Sequence, residues 1–241
     1  MLEFKNIRKS YNELEIIKDI SGQINSGEIT ALIGPSGSGK STLFRLLSLL
    51  EDADSGIINF NGYTLDFSSR KLKKPTVIWP KITLVFQQLY LWPNLTMKQN
   101  IMLPHKNIER DSIEFKTKLN DLIELFELED YLDRYPNQLS IGQRQRIALI
   151  RGLMLKPDIL LLDEITSSLD VEHIQKVKSV LKTEKESGTG FVVATHLLGF
   201  AKSVADNIWF IENGRFVEQG SIKSLDKPKT ERFAEFLSLM E

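Results

Sequence analysis

Two short stretches of this sequence carry residue types at spacings that do chemistry on phosphate. The first is Gly34-Pro35-Ser36-Gly37-Ser38-Gly39-Lys40-Ser41, followed by Thr42. Glycines so spaced let successive backbone N–H groups turn inward around phosphate oxygens, and a helix starting at the lysine adds its positive end. Lys40 then sets a point charge on the β and γ phosphates, and Ser41 ligates Mg2+. The stretch fits the Gly-x-x-x-x-Gly-Lys-Ser/Thr pattern and predicts a nucleotide site, without saying what the nucleotide is for. The second stretch is Ile159-Leu160-Leu161-Leu162-Asp163-Glu164, a wholly apolar run ending in two carboxylates. A strand covered on both faces reads this way, and ligands of open α/β sheets gather at the carboxyl ends of such strands. Asp163 is therefore expected to meet the Mg2+, and Glu164 to reach a water attacking the γ phosphate. In isolation, adjacent acids after a strand more often open a solvated loop. Beside a phosphate loop the catalytic reading is preferred.

The elements that position these residues follow from periodicity. Apolar runs at Leu2 to Ile7, Ile16 to Ile24 and Ile29 to Ile33, bounded by Asn, Ser and Gly, predict strands. After the glycine loop, Leu43, Phe44, Leu46, Leu47 and Leu50 take helical spacing and stop at Asp52 to Gly56. Ile57 to Phe60, the Asn61-Gly62 turn and Ile82 to Phe86 rebuild sheet, with Ser68 to Pro75 as a basic, turn-like connection. From Thr96 to Leu155 the period is helical, with Leu119, Leu122, Ile123 and Phe126 in one stripe, which predicts a helical insert. Sheet returns at Ile159, at Phe191 to Ala194 and at Asn207 to Ile211 before the Asn213-Gly214 turn, and Thr230 to Met240 reads as a short amphipathic helix. Strands alternating with helices predict a mostly parallel α/β sheet.

Composition bounds the partners. A chain of 241 residues, 41% hydrophobic, can bury a full core, and 31 basic against 32 acidic residues leave no general field toward nucleic acid or anionic lipid. No nucleic-acid partner is expected. Cysteine is absent, which excludes disulfides and thiolate chemistry. No apolar run approaches the length of a membrane span, so no direct membrane insertion is expected either.

Between the helical insert and the acidic strand stands Leu139-Ser140-Ile141-Gly142-Gln143-Arg144-Gln145-Arg146. This octet resembles the signature loop of ABC-type ATPases. The family's order recurs along the whole chain: Tyr11 where an aromatic stacks on adenine, Gln87 as in the Q-loop, Ser168-Leu169-Asp170 as in the D-loop, and His196 as in the switch histidine. Val85 to Thr96 and the segment after His196 most resemble the ATPases of polar amino-acid importers.

The resemblance implies an α/β fold of the P-loop NTPase (RecA-like) type, with a mostly parallel core, an N-terminal antiparallel β subdomain and an inserted α-helical subdomain. Residues 1–87 and 157–241 would form the nucleotide-binding core, and 88–156 the helical subdomain. It implies a head-to-tail homodimer holding two ATP molecules, each on one chain's phosphate loop and covered by Ser140, Gly142 and Gln143 of the other. Gln87 would sense metal or γ phosphate, His196 would support Glu164, and transmembrane permease subunits would take the chain to the cytoplasmic face of the plasma membrane. An exporter of lipid, lipoprotein or drug, or a cell-division-type system, is the alternative, and pairing with a sister ATPase stays open.

Three positions depart from the family pattern. Ile141 replaces a glycine, so the signature either keeps φ negative there or carries strain. Ile165 stands for the proline that usually follows the catalytic glutamate, and Leu197 for an acid after the histidine. Slow hydrolysis, or hydrolysis tightly dependent on the membrane partner, would follow.

Overall fold

A computed structural model of the chain describes residues 1–69, 78–105 and 112–240. Most of the Ser68 to Pro75 connection and part of the helical insert therefore lie outside the described residues. A four-stranded antiparallel sheet, in the order β2-β1-β4-β5, is built from β1 (Leu2–Tyr11), β2 (Leu14–Ile24), β4 (Ser55–Phe60) and β5 (Tyr63–Asp66). The larger sheet has six strands in the order β10-β9-β3-β8-β7-β6. In it β3 (Ile29–Ile33), β6 (Ile82–Val85), β7 (Ile159–Asp163), β8 (Gly190–Ala194) and β9 (Asn207–Glu212) run parallel, and β10 (Arg215–Ser221) closes one edge antiparallel.

Alternation along the buried strands explains the layering. In β7, Leu160 and Leu162 enter one core with Val177 and Leu181 of α5 (Val171–Glu186) and Ile147, Ile150 and Leu153 of α4 (Ile141–Leu153). Ile159 and Leu161 point the other way, into a core shared with α1 (Lys40–Leu47) and the four-stranded sheet. Such a strand is apolar at every position because both faces are covered. Truncating one of these leucines to alanine costs about 2–5 kcal/mol.

Between β6 and β7 the chain departs into α2 (Met97–Met102), α3 (Ile113–Leu125) and α4, with Thr96 and Ser112 capping the first two. The predicted stripe is real: Leu122, Ile123 and Phe126 are buried, and Leu119 packs against them. After β8 comes α6 (Leu198–Val204), and the chain ends in α7 (Glu231–Ser238), capped by Thr230. Helix α1 stops at Leu47, earlier than its apolar spacing suggests, because Leu49 turns to φ 58°.

Candidate functional site

Four neighbouring parallel strands each deliver one piece of chemistry at the same edge of the large sheet. β3 runs into the glycine loop, β8 leads through Thr195 to His196, β7 ends on Asp163 with Glu164 next, and β6 leads through Phe86 to Gln87. The registers Leu32 with Ala194, Asp163 with Ala194 and Val85 with Leu162 bring these ends level. They open on a cleft of about 590 Å3 whose wall includes Ser36, Gly37, Gly39, Lys40, Ser41, Thr42, Gln87, Glu164 and His196, with Ile16 of β2 as a contributor that sequence reading did not foresee.

The loop lies against β9 at backbone distance. A Cβ on Gly34 would stand 2.0 Å from the carbonyl oxygen of Ile211, so no other residue fits. Behind the loop the Ser38 carbonyl accepts from the Gly214 N–H at 3.1 Å. Lys40 is buried, and its Nζ donates to the carbonyl oxygens of Gly34 at 2.8 Å and Pro35 at 3.0 Å. Burial pushes its ammonium pKa down, while the Glu164 and Asp163 carboxylates act in the opposite direction.

Glu164 is clamped from both sides. Its Oε2 accepts from Gln87 Nε2 at 2.8 Å, and its Oε1 pairs with His196 Nε2 at 2.7 Å. The backbone of Glu164 lies in the left-handed region at φ 51°, which costs about 1–2 kcal/mol for a residue with a Cβ. Its N–H bonds the Ala194 carbonyl at 3.1 Å and its carbonyl takes the Ser167 N–H at 3.3 Å, so the turn is held from both ends. Ile165 is buried in the core just beyond and anchors the turn by packing, where a proline would do so by restricting φ.

Asp163 lies beneath, only 4% exposed, with Oδ1 buried and unpartnered among the described residues. Burial raises its carboxyl pKa, and the Ser41 hydroxyl bonded to it acts the other way. An orphaned carboxylate oxygen beside a serine hydroxyl is a hard-oxygen set of the kind Mg2+ takes when phosphates and waters supply its remaining ligands. The residues present fit that ion.

Other predicted site residues stand apart from the cleft wall. Tyr11 ends β1 at its flank, half exposed, with its hydroxyl donating to Glu51 Oε2 at 2.6 Å and the Lys9 ammonium 5.5 Å from its ring. Ser140 caps α4 in a reciprocal box: its Oγ accepts from the Gln143 N–H at 3.2 Å, and Gln143 Oε1 accepts from the Ser140 N–H at 2.9 Å. Ile141 is the first residue of that helix, is absent from the positive-φ positions and is 54% exposed. Of the two alternatives at Ile141, the chain takes negative φ without strain. Asp170 caps α5 by accepting from the His173 N–H at 2.9 Å. Leu197 is exposed, donates its N–H to Thr195 Oγ1 at 3.1 Å and offers His196 no acid, so Glu164 is the carboxylate paired with that imidazole. Ser140, Gly142, Gln143 and Asp170 thus form a second group, which one chain does not bring to its own cleft.

A glycine loop closing on a buried lysine, at the strand ends that also carry the paired acids, defines the class: a P-loop NTPase fold. A family model described as ABC transporter matches residues 17–167. The chain is similar to the glutamine transport ATP-binding protein GlnQ of Bacillus subtilis (strain 168), at 41% identity over 99% of this chain and 98% of that protein. It is similar also to the arginine transport ATP-binding protein ArtM of the same organism, at 40% identity over 98% of each. Among solved structures, a dimeric ATP-binding cassette in a post-hydrolysis state, bound to ADP and Pi, superposes with a TM-score of 0.81 at 30% identity, covering 92% of this chain and 99% of that one. This chain belongs to the ABC transporter family.

Proposed function

We propose that this chain is the ATP-binding and ATP-hydrolysing subunit of an ABC importer for an amino acid or a similar polar solute. The observation that carries the reading is Glu164, held between Gln87 and His196 at the mouth of the phosphate loop. Relatives named for glutamine and arginine transport, matched end to end, favour this cargo over a lipid, lipoprotein or drug, and over a cell-division-type system.

The triphosphate lies along Gly34 to Thr42, where backbone N–H groups and the α1 N-terminus meet its charge, and the adenine stacks on Tyr11. On phosphate arrival Lys40 exchanges the carbonyls of Gly34 and Pro35 for a stronger anionic partner. Ser41, Asp163 and Gln87 would hold Mg2+, which would offset the negative charge on the β and γ phosphates. In the clamped arrangement each Glu164 oxygen already accepts one hydrogen bond, and a lone pair remains on each. Movement of Gln87 toward the nucleotide frees Oε2 to orient the attacking water and accept its proton, while His196 holds Oε1 and the γ phosphate.

Ser140, Gly142, Gln143 and Asp170 complete the site of a second copy, head to tail, and the dimeric relative supports that arrangement. Residues 88–156 act as a helical subdomain inserted between the core segments 1–87 and 157–241. A groove of about 310 Å3 between them, rimmed by the exposed Leu50, Trp79 and Trp92, receives a membrane permease. Arg151 in that groove donates to the carbonyls of Leu89 at 2.8 Å and Tyr90 at 3.0 Å, so pressure there reaches Gln87, two residues from Leu89. No helix among the described residues is long and apolar enough to cross a membrane, and the chain works from the cytoplasmic face through that permease.

The test is the solution mass of the Glu164→Gln chain with and without Mg-ATP. Blocked hydrolysis traps a nucleotide sandwich and doubles the mass. A chain that binds ATP yet stays monomeric, with its permease as well as without, sinks the two-chain reading.

A further inference from the structure

The signature turn and the D-loop of a single chain are fastened to each other. Gly142 packs on the D-loop backbone so closely that a Cβ would stand 2.9 Å from the Ser168 carbonyl oxygen. Gln145, 3% exposed, donates from Nε2 to Ser167 Oγ at 3.1 Å. The third tie runs through His173, in the first turn of α5. Its Nδ1 lies 2.8 Å from Asp170 Oδ1, and its Nε2 pairs with Nη1 of Arg146 on α4. Arg146 is itself buried and also donates to the carbonyl oxygens of Phe126 at 2.5 Å and Gly142 at 3.3 Å.

A guanidinium has donors and no acceptor, so Nε2 of His173 must offer its lone pair. The ring proton then sits on Nδ1 and is donated to Asp170. The pairing selects neutral imidazole in one tautomer.

We propose that His173 is a positioning residue for hydrolysis: neutral, it ties Asp170 to Arg146, so that D-loop and signature turn meet the partner's nucleotide as one body. This rests on the two-chain reading above. The groups facing the ring are Asp170 before it, Arg146 on α4, and Glu127, whose Oε2 lies 3.7 Å from Nε2. Lys176, one turn along α5, is held by Glu127 at 2.6 Å and Glu172 at 3.4 Å.

The experiment measures steady-state ATP hydrolysis by the whole chain for wild type, His173→Leu and His173→Gln. In His173→Leu the kcat falls on the order of tenfold, the worth of one charge-assisted hydrogen bond, with the KM for ATP changed less than about twofold. In His173→Gln the amide oxygen accepts from Arg146 in place of the imidazole nitrogen, and it restores kcat. ATP-driven dimerisation of Glu164→Gln, alone and with each His173 variant, separates the two ideas. If that chain dimerises but His173→Leu keeps the wild-type kcat, or His173→Gln fails to restore it, the positioning role is overturned. If Glu164→Gln never dimerises, the two-chain reading fails and takes this inference with it.

Discussion

The phosphate loop and the signature turn both begin a helix, yet they are finished in opposite ways. Ser38, Lys40 and Thr42 are buried, Gly34 presses on β9, and the lysine is satisfied by carbonyls of its own loop. The Ser140 hydroxyl and the Gln143 side chain are taken up by their shared capping box, and Ile141 beside them is exposed. On the proposed reading, one half of the catalytic apparatus is a closed cradle built before any ligand comes. The other is a presented edge, firm in shape but without an object inside its own chain. The division of the site proposed above makes chemistry conditional on encounter.

Lys40→Ala strikes the closed half and carries the largest effect. Removing a buried cation from a phosphate cradle weakens ATP binding on the order of a hundredfold, read by titration calorimetry on the monomer. Retained affinity would mean the backbone cradle suffices, and the contrast between the halves would blur. Ser140→Ala strikes the open half. ATP affinity of the monomer should stay within about twofold, while the loss of a helix cap lowers stability by roughly 1 kcal/mol. ATP-driven association in the Glu164→Gln chain should weaken about tenfold, measured by sedimentation. An equal loss of monomer affinity would show that Ser140 serves its own cleft.

Asp163→Asn gives the smallest effect on the nucleotide-free chain and sharpens the contrast, because it probes strain within the closed half. Burial raises the Asp163 carboxyl above the ordinary aspartate range. The folded chain therefore binds this proton more tightly than the unfolded one, and stability is lost as pH rises above about 4. Asp163→Asn should raise Tm at pH 7 by on the order of 2 °C without nucleotide, and the gain should vanish at acid pH, while Mg-dependent hydrolysis is lost. An unchanged or lower Tm at pH 7 would show that the buried carboxylate carries no such cost.

Sequence made the closed half readable because its signals are local. A glycine loop between strand and helix, and an apolar strand ending in acids, are each written in under ten consecutive residues. The parallel core was legible for the same reason, whereas the separate N-terminal antiparallel sheet was expected only from the family resemblance. β5 and β10 were not: the Asn61-Gly62 and Asn213-Gly214 turns announced hairpins, but Tyr63–Asp66 and Arg215–Ser221 are polar outer strands with little apolar period. The fastening of Arg146 to His173 and of Gln145 to Ser167 also escaped notice, since side chains 27 and 22 residues apart leave no period to read. Glu51, which pins the Tyr11 hydroxyl from 40 residues away, is a third case.

The left-handed backbone of Glu164 carries a consequence for how such a chain ages under mutation. Asparagine accepts that φ more readily than glutamate does. A library screened for heat resistance alone should therefore accumulate Asn or Gly at position 164, and each such clone would be sturdy and inert. Thermal selection and turnover pull opposite ways at this one residue, so a stabilised version of this protein has to be screened for phosphate release from the first round.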